Sequence, residues 1–156
     1  MARRRTQADA AADAPGDAAL RGFTGYALKR AYMAIQSDFT ATLAPFELRI
    51  ATFSALMLII DRPDMTQSQL AAALSIERSG VVLMIDELEG RDLITRNKVP
   101  TDRRTYALRA TLAGLRLGEQ AMAACRAHEA RMLAGLDEEE RARLHAMLAK
   151  IEAAAG

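Results

Sequence analysis

Few residues in this 156-residue chain could do covalent or metal chemistry: it has one cysteine, Cys125, and two histidines, His128 and His145. Metal sensing needs clustered His, Cys and carboxylates at ligand spacing, which so small a set scarcely supplies. His128-Glu129-Ala130-Arg131 opens like the zinc-binding H-E-x-x-H pattern, but Met132 stands where the second histidine is needed. No glycine loop is suited to cradling phosphate, and Cys125 has no evident base partner, so neither an enzyme nor a bound cofactor or metal is expected. What remains is charge. From residue 94 to residue 109 there are five basic residues (Arg96, Lys98, Arg103, Arg104, Arg109) against one acid, Asp102, on a chain whose net charge is +1. This is a local cationic finger on a nearly neutral protein.

The elements that carry the finger can be read from pattern. Residues 93–99 and 105–110 are β-rich runs, and Pro100-Thr101-Asp102-Arg103-Arg104 lies between them, which predicts a hairpin with a charged tip. Upstream, Thr66 to Leu74 reads as a short helix with Thr66 as N-cap and Gln69 completing a capping box. After a turn at Ser75-Ile76, residues 77–91 place Val81, Ile85 and Leu88 at i, i+4 and i+7, an apolar stripe that can dock on the first helix. Two such helices form a helix-turn-helix, whose second member is the part that enters a DNA major groove.

The run Asp102-Arg103-Arg104-Thr105-Tyr106-Ala107-Leu108, followed by Thr111 and Gly114, resembles the D-x-R-x-x-x-L plus T-x-x-G signature of the MarR family of bacterial winged helix-turn-helix regulators. Leu70-Ala71 and the stretch from Leu88 to Ile94 match its preceding segments, and the resemblance covers residues 22–152. It implies a mainly α fold with a small β-wing. It also implies a homodimer that binds a pseudopalindromic operator, represses, and is released by a small aromatic acid or its coenzyme A thioester.

On a helical wheel centred on Val81, Ile85 and Leu88, the outward positions are Ser79, Gly80, Val82, Leu83, Asp86 and Glu87, with Arg78 at the flank. The family usually has Thr at the position of Gly80 and basic residues at those of Leu83 and Glu87. Gly80 costs about 1 kcal/mol of helix propensity relative to Ala, and close approach of the backbone to DNA is a reason to tolerate it. Val82 and Leu83 suit thymine methyls, leaving Arg78 as the main polar reader with Ser79 beside it. In the wing, Asp102 is expected to pair with Arg104 and aim it into an A·T-rich minor groove. Arg103, Lys98 and Arg96 are then phosphate contacts, as are Ser68 and Gln69 at the start of the first motif helix.

Composition and periodicity frame these elements. About half of the residues are apolar (51%), which suits one domain of ordinary size. No apolar run reaches the ~18 residues of a membrane span, no secretory signal is evident, and a single cysteine agrees with a reducing compartment, so a cytoplasmic protein is expected, which the resemblance implies is nucleoid-associated when bound to DNA. Scarce aromatics argue against stacking on single strands.

Residues 1–19, Ala/Asp-rich with Pro15-Gly16, should be a disordered tail, in which Arg3-Arg4-Arg5 could be a basic arm or simply solvated. Residues 20–44 form a dimerisation helix with two apolar stripes, one carrying Leu28, Tyr32, Ile35, Phe39 and Leu43, the other Phe23, Ala27, Ala31 and Ala34. Two apolar faces argue that a second subunit covers one. Residues 45–110 are the DNA-binding lobe, its nearly apolar 47–60 stretch interior. Residues 111–153 are C-terminal dimerisation helices, with Thr111 and Asp137 as N-caps, Glu140 completing a capping box and Gly114 and Gly118 at a close contact.

The resemblance also implies an effector pocket between the dimer helices and the winged lobe, for which Tyr26, Arg30, Arg49, Met57, Arg116 and His128 are the candidates; salt bridges and a satisfied interior histidine are the competing roles. Two readings stay open beside a ligand-released repressor. One is redox control through Cys125, although a stripe of apolar neighbours offers nothing to lower its pKa. The other is a ligand-independent DNA-binding or protein-interaction module.

Overall fold

In a computed structural model, residues 17–99 and 102–155 are described, without the side chains of Val99, Asp102, Arg103, Arg104, Thr105 and Ala155. The chain divides into two compact units, residues 1–37 and 38–156. The elements, in order, are α1 (Ala18–Arg21), α2 (Thr24–Leu43), a 3-10 turn (Ala44–Phe46), α3 (Ile50–Asp61), β1 (Met65–Thr66), α4 (Gln67–Leu74), α5 (Arg78–Gly90), β2 (Ile94–Val99), β3 (Asp102–Ala110), α6 (Leu112–Met132) and α7 (Glu138–Ala155). The fold is mainly α with a small antiparallel sheet of order β1-β3-β2.

The first unit departs from a single helix over residues 20–43. Gly22 ends α1, and Asp17 ties the two sides of the break together. Its carboxylate accepts from Arg21 Nε (2.9 Å) and from the Tyr26 hydroxyl (3.0 Å). Those bonds, the arginine first, hold Asp17 below the usual carboxylate range. Residues 17–19 belong to α1 and its N-cap, while the expected disorder of the preceding residues and the role of Arg3 to Arg5 lie outside the described residues. Leu20, Phe23, Tyr32 and Met33 are exposed apolar side chains on this unit.

In the second unit the caps form as the sequence predicts. Thr66 Oγ1 accepts from the Gln69 amide (3.2 Å), and Gln69 Oε1 accepts from the Thr66 amide (2.8 Å). Asp137 and Glu140 close the same reciprocal box. Thr111 Oγ1 accepts from the Gly114 amide (3.0 Å) and donates to the Asp92 carbonyl (2.6 Å), so it caps α6 and fastens it to the turn before β2. Thr111→Ala is expected to lower stability by about 1–2 kcal/mol, read as a shift of the urea midpoint, with Thr111→Ser close to the parent protein.

The core is built on α3, whose Phe53, Ala55, Leu56 and Ile59 are buried with Leu70 of α4 and Val81, Ile85 and Leu88 of α5. Phe39 packs edge-on against Phe53, ring centroids 6.0 Å apart. Gly118 of α6 sits where a Cβ would lie 2.5 Å from Ile60 Cδ1, and at Gly114 a Cβ would lie 1.9 Å from the Leu93 carbonyl oxygen. The two glycines thus serve different contacts, one with helix α3 and one with the chain entering β2.

The sheet contains a strand that local pattern does not announce: β1 pairs with β3 in the register Met65↔Leu108 and Thr66↔Ala107. Asp64, at φ 70, leads into it, and its carboxylate takes both Nε and Nη2 of Arg109 at 2.6 Å. This bidentate bond pulls Asp64 below the usual carboxylate range. A depressed folded-state pKa contributes stability that is present above the unfolded value and lost as pH falls through the folded one. Asp64→Asn should therefore make the loss of stability below about pH 4 shallower, modestly because the pair is exposed.

Candidate nucleic-acid interface

Helices α4 and α5 meet at a bend of 112° across Ser75, which ends α4 in the left-handed region at φ 53. That is the angle range of a helix-turn-helix. Val81, Ile85 and Leu88 are each 0% exposed, so the stripe read from sequence is the docked face, and Met84 joins it at 9%. On the other side Leu83 is 69% exposed, an apolar side chain held in solvent with no packing role in the free chain. Arg78 and Ser79 are exposed in the first turn of α5, Val82 and Gly80 are half-buried at its flank, and among the described residues Arg78 meets no carboxylate. A Cβ at Gly80 would have only Ile76 Cδ1 near it, at 4.0 Å, so packing inside the chain does not require this glycine.

Ser68 and Gln69 are exposed in the first turn of α4. The Gln69 side-chain oxygen is already engaged by the cap, which leaves its NH₂ as the group able to reach a phosphate.

The β2–β3 hairpin forms the wing, with Lys98 opposite Tyr106 and a register shift between Lys98 and Val99. The second strand starts at Asp102, earlier than the β-rich run at 105, so the turn is shorter than expected. Asp102, Arg103 and Arg104 open β3, but their side chains, and with them the expected Asp102–Arg104 pair, lie outside the described residues. Lys98 is exposed and meets no carboxylate among the described residues.

Two of the finger's five cations are spent inside the protein. Arg109 is held by Asp64. Arg96, expected on a phosphate, bonds Asp86 and lies 3.0 Å (Nε to Oε2) from Glu89, both on α5. It departs from the expectation because the strand register turns it toward α5 and two carboxylates there neutralise it. Sequence separations of 10 and 7 residues between different elements give no local signal for these pairs.

Of the six effector candidates, Tyr26 and Arg30 belong to the first unit, where Tyr26 is bonded to Asp17 and Arg30 is exposed. Arg49, expected beside a ligand, bonds Glu87 on α5. Met57 packs beside Gly118, and Arg116 is exposed on α6. His128 is buried, its ring 5.2 Å from that of Phe39 and its Nε2 3.3 Å from an Asp38 oxygen that also meets Arg131. A cavity of about 220 Å³ in the second unit is lined by Arg62, Pro63, Asp64, Met65 and Gln69, and none of the six lines it. Cys125 is 9% exposed, and burial pushes its thiol up, the opposite of what a reactive thiolate needs. Among the described residues no three His, Cys, Asp or Glu side chains cluster at metal-binding distance, and no single helix is long and apolar enough to cross a membrane.

A docked apolar stripe, an outward reading face and an antiparallel hairpin behind it define a winged helix-turn-helix protein. Residues 48–106 match the MarR family. Among solved structures, the transcriptional repressor CouR bound to a 23-mer DNA duplex is 36% identical, with a TM-score of 0.84 over 90% of this chain and 99% of that one. CouR from Rhodococcus jostii RHA1 bound to p-coumaroyl-CoA is 30% identical, with a TM-score of 0.77 over 86% of this chain and 94% of that one. A protein of Thauera aromatica assigned to transcriptional regulation of the hcr operon is 34% identical over 97 residues, 62% of this chain and 58% of that protein's length. The chain belongs to the MarR family and is a transcriptional regulator of the winged helix-turn-helix class.

Proposed function

We propose that the chain is a homodimeric repressor in the cytoplasm, nucleoid-associated when bound, that reads a pseudopalindromic operator with two α5 helices and two wings. The single observation that carries this reading is the division of α5 into a fully buried stripe and an exposed remainder, with Ser79 and Leu83 opposite the stripe and Arg78 at its flank. Arg78 would read a base edge, Leu83 and Val82 would pack on thymine methyls, and Gly80 would let the backbone approach. Lys98, Arg103, Arg104, Ser68 and Gln69 would fix the register on phosphates or in the flanking minor groove. An Asp102–Arg104 pair would aim the wing tip.

Residues 20–44 and 111–153 would build the dimer. Supporting this, Leu20, Phe23, Tyr32 and Met33 in the first unit and Leu115, Met147, Leu148 and Ile151 in the second are exposed apolar side chains that a lone subunit leaves in water. The similarity to CouR bound to p-coumaroyl-CoA supports release by an aromatic acid in its thioester form. Tyr26, Arg30, Met57, Arg116 and His128 remain the candidates for contact with it; Arg49, paired with Glu87, would act through α5.

The test is a mobility-shift titration on a duplex selected by the protein from a random-sequence pool, with p-coumaroyl-CoA, free p-coumarate and coenzyme A as separate additions. Weakening of about 5- to 150-fold by the thioester alone is the expected result. Indifference to all three would leave a ligand-independent regulator, and sedimentation as a monomer would remove the two-fold reader.

A further inference from the structure

The ion pairs along the exposed side of α5 assign a role to Arg96 that goes beyond DNA contact. We infer that Arg96 is a positioning residue: its guanidinium docks wing strand β2 on α5 through Asp86 and Glu89, and so fixes the angle between the reading helix and the wing. The inference rests on the DNA-reading function proposed above.

Three observations lead to it. In the antiparallel ladder Arg96 stands opposite Leu108, which is 0% exposed. Directly opposed residues project from the same face of a sheet, so Arg96 occupies an inward position. Its side chain is only 22% exposed, whereas the carboxylates it meets, Asp86 and Glu89, are 54% and 42% exposed. Finally, both acids lie on the helix that must approach a polyanion. To reach a phosphate, Arg96 would have to abandon two carboxylates and leave them unpaired beside DNA, where like charges repel. The arrangement works only if the arginine stays. It then neutralises α5 and ties the base of the wing to it. Arg49 does the same for Glu87 from the other side, so all three acids of α5 that could oppose DNA are held by cations from neighbouring elements.

A positioning role and a phosphate contact differ in two measurable ways. The variants are Arg96→Gln, the double variant Asp86→Asn/Glu89→Gln, and Lys98→Gln as the phosphate-contact reference. Hydrogen exchange of the β2 amides is followed in the DNA-free protein, and affinity for the pool-selected duplex is followed across salt concentration. The expected result is faster β2 exchange and about tenfold weaker binding for both Arg96→Gln and the double variant, with the salt slope unchanged. Lys98→Gln should instead flatten the slope by about one unit with exchange unaltered. The double variant is decisive in sign, because removing two negative charges from a DNA-binding helix otherwise tightens binding. Tighter binding by it, or a slope flattened by about one unit in Arg96→Gln with unchanged exchange, would overturn the inference. If the unaltered protein selects no duplex, the DNA-reading proposal falls on that result, and the exchange comparison alone decides whether Arg96 fixes the wing.

Discussion

Gly114→Ala is expected to cost about 3 kcal/mol or more, a large part of the ~5–15 kcal/mol that holds a domain of this size together. The added methyl would be placed 1.9 Å from the Leu93 carbonyl oxygen and 2.9 Å from its carbon. These are backbone atoms at the entry to β2, and the Thr111 amide already bonds that same oxygen at 3.0 Å. Neither side can yield without moving α6 off the sheet. Gly118→Ala is the control: it meets the tip of Ile60 at 2.5 Å and Met57 Sδ at 3.5 Å, and both can rotate. Its cost should be nearer 1 kcal/mol, with urea unfolding of the two variants giving the order Gly118→Ala above Gly114→Ala in stability. The reverse order would mean that α6 is not pressed on Leu93.

Arg78→Ala should weaken binding to a selected duplex by about 1–3 kcal/mol, or roughly 5- to 150-fold, while leaving the fold intact. The side chain is exposed and meets no carboxylate among the described residues, so truncation breaks no internal bond. Loss of a base reader relaxes discrimination at one position of each half-site, and loss of a phosphate contact lowers affinity evenly for all sequences. Binding measured on duplexes with single base-pair changes separates the two. Unchanged affinity would remove Arg78 from the reading face.

The features legible in the sequence are those encoded within a few residues of one another. Thr66 with Gln69, Thr111 with Gly114 and Asp137 with Glu140 each satisfy amides three positions away, and the Val81, Ile85, Leu88 stripe needs only helical period. The features that escaped are those fixed by distant partners. Strand β1 is two residues long and exists because Met65 finds Leu108. The turn before it is held by Arg109, 45 positions from Asp64. The outward wheel positions of Asp86 and Glu87 were legible, yet their occupation by Arg96 and Arg49 was not, because it depends on how β2 and α3 are brought against α5. The break after α1 likewise escapes the apolar stripes that run past Gly22: it is closed by the bond from Tyr26 to Asp17, nine residues back.

These placements also bear on how an effector site could speak to DNA. Arg91, just past α5, donates to the carbonyls of Glu47 (2.6 Å) and Phe46 (3.0 Å), while Arg49 reaches Glu87. The corner at residues 44–49 therefore grips α5 near its C-terminal end. Any ligand that moves the corner would move the reading face with it, and the differential affinity needed for release is only about 1–3 kcal/mol.

The most direct test of the central claim is a hydroxyl-radical footprint of the intact protein on a pool-selected duplex. The account predicts two protected segments related by two-fold symmetry, their centres about 34–36 Å apart along the helix axis, with protection extending into the flanking minor groove on each side. A single unsymmetrical protected segment, or uniform protection that does not depend on sequence, would contradict it.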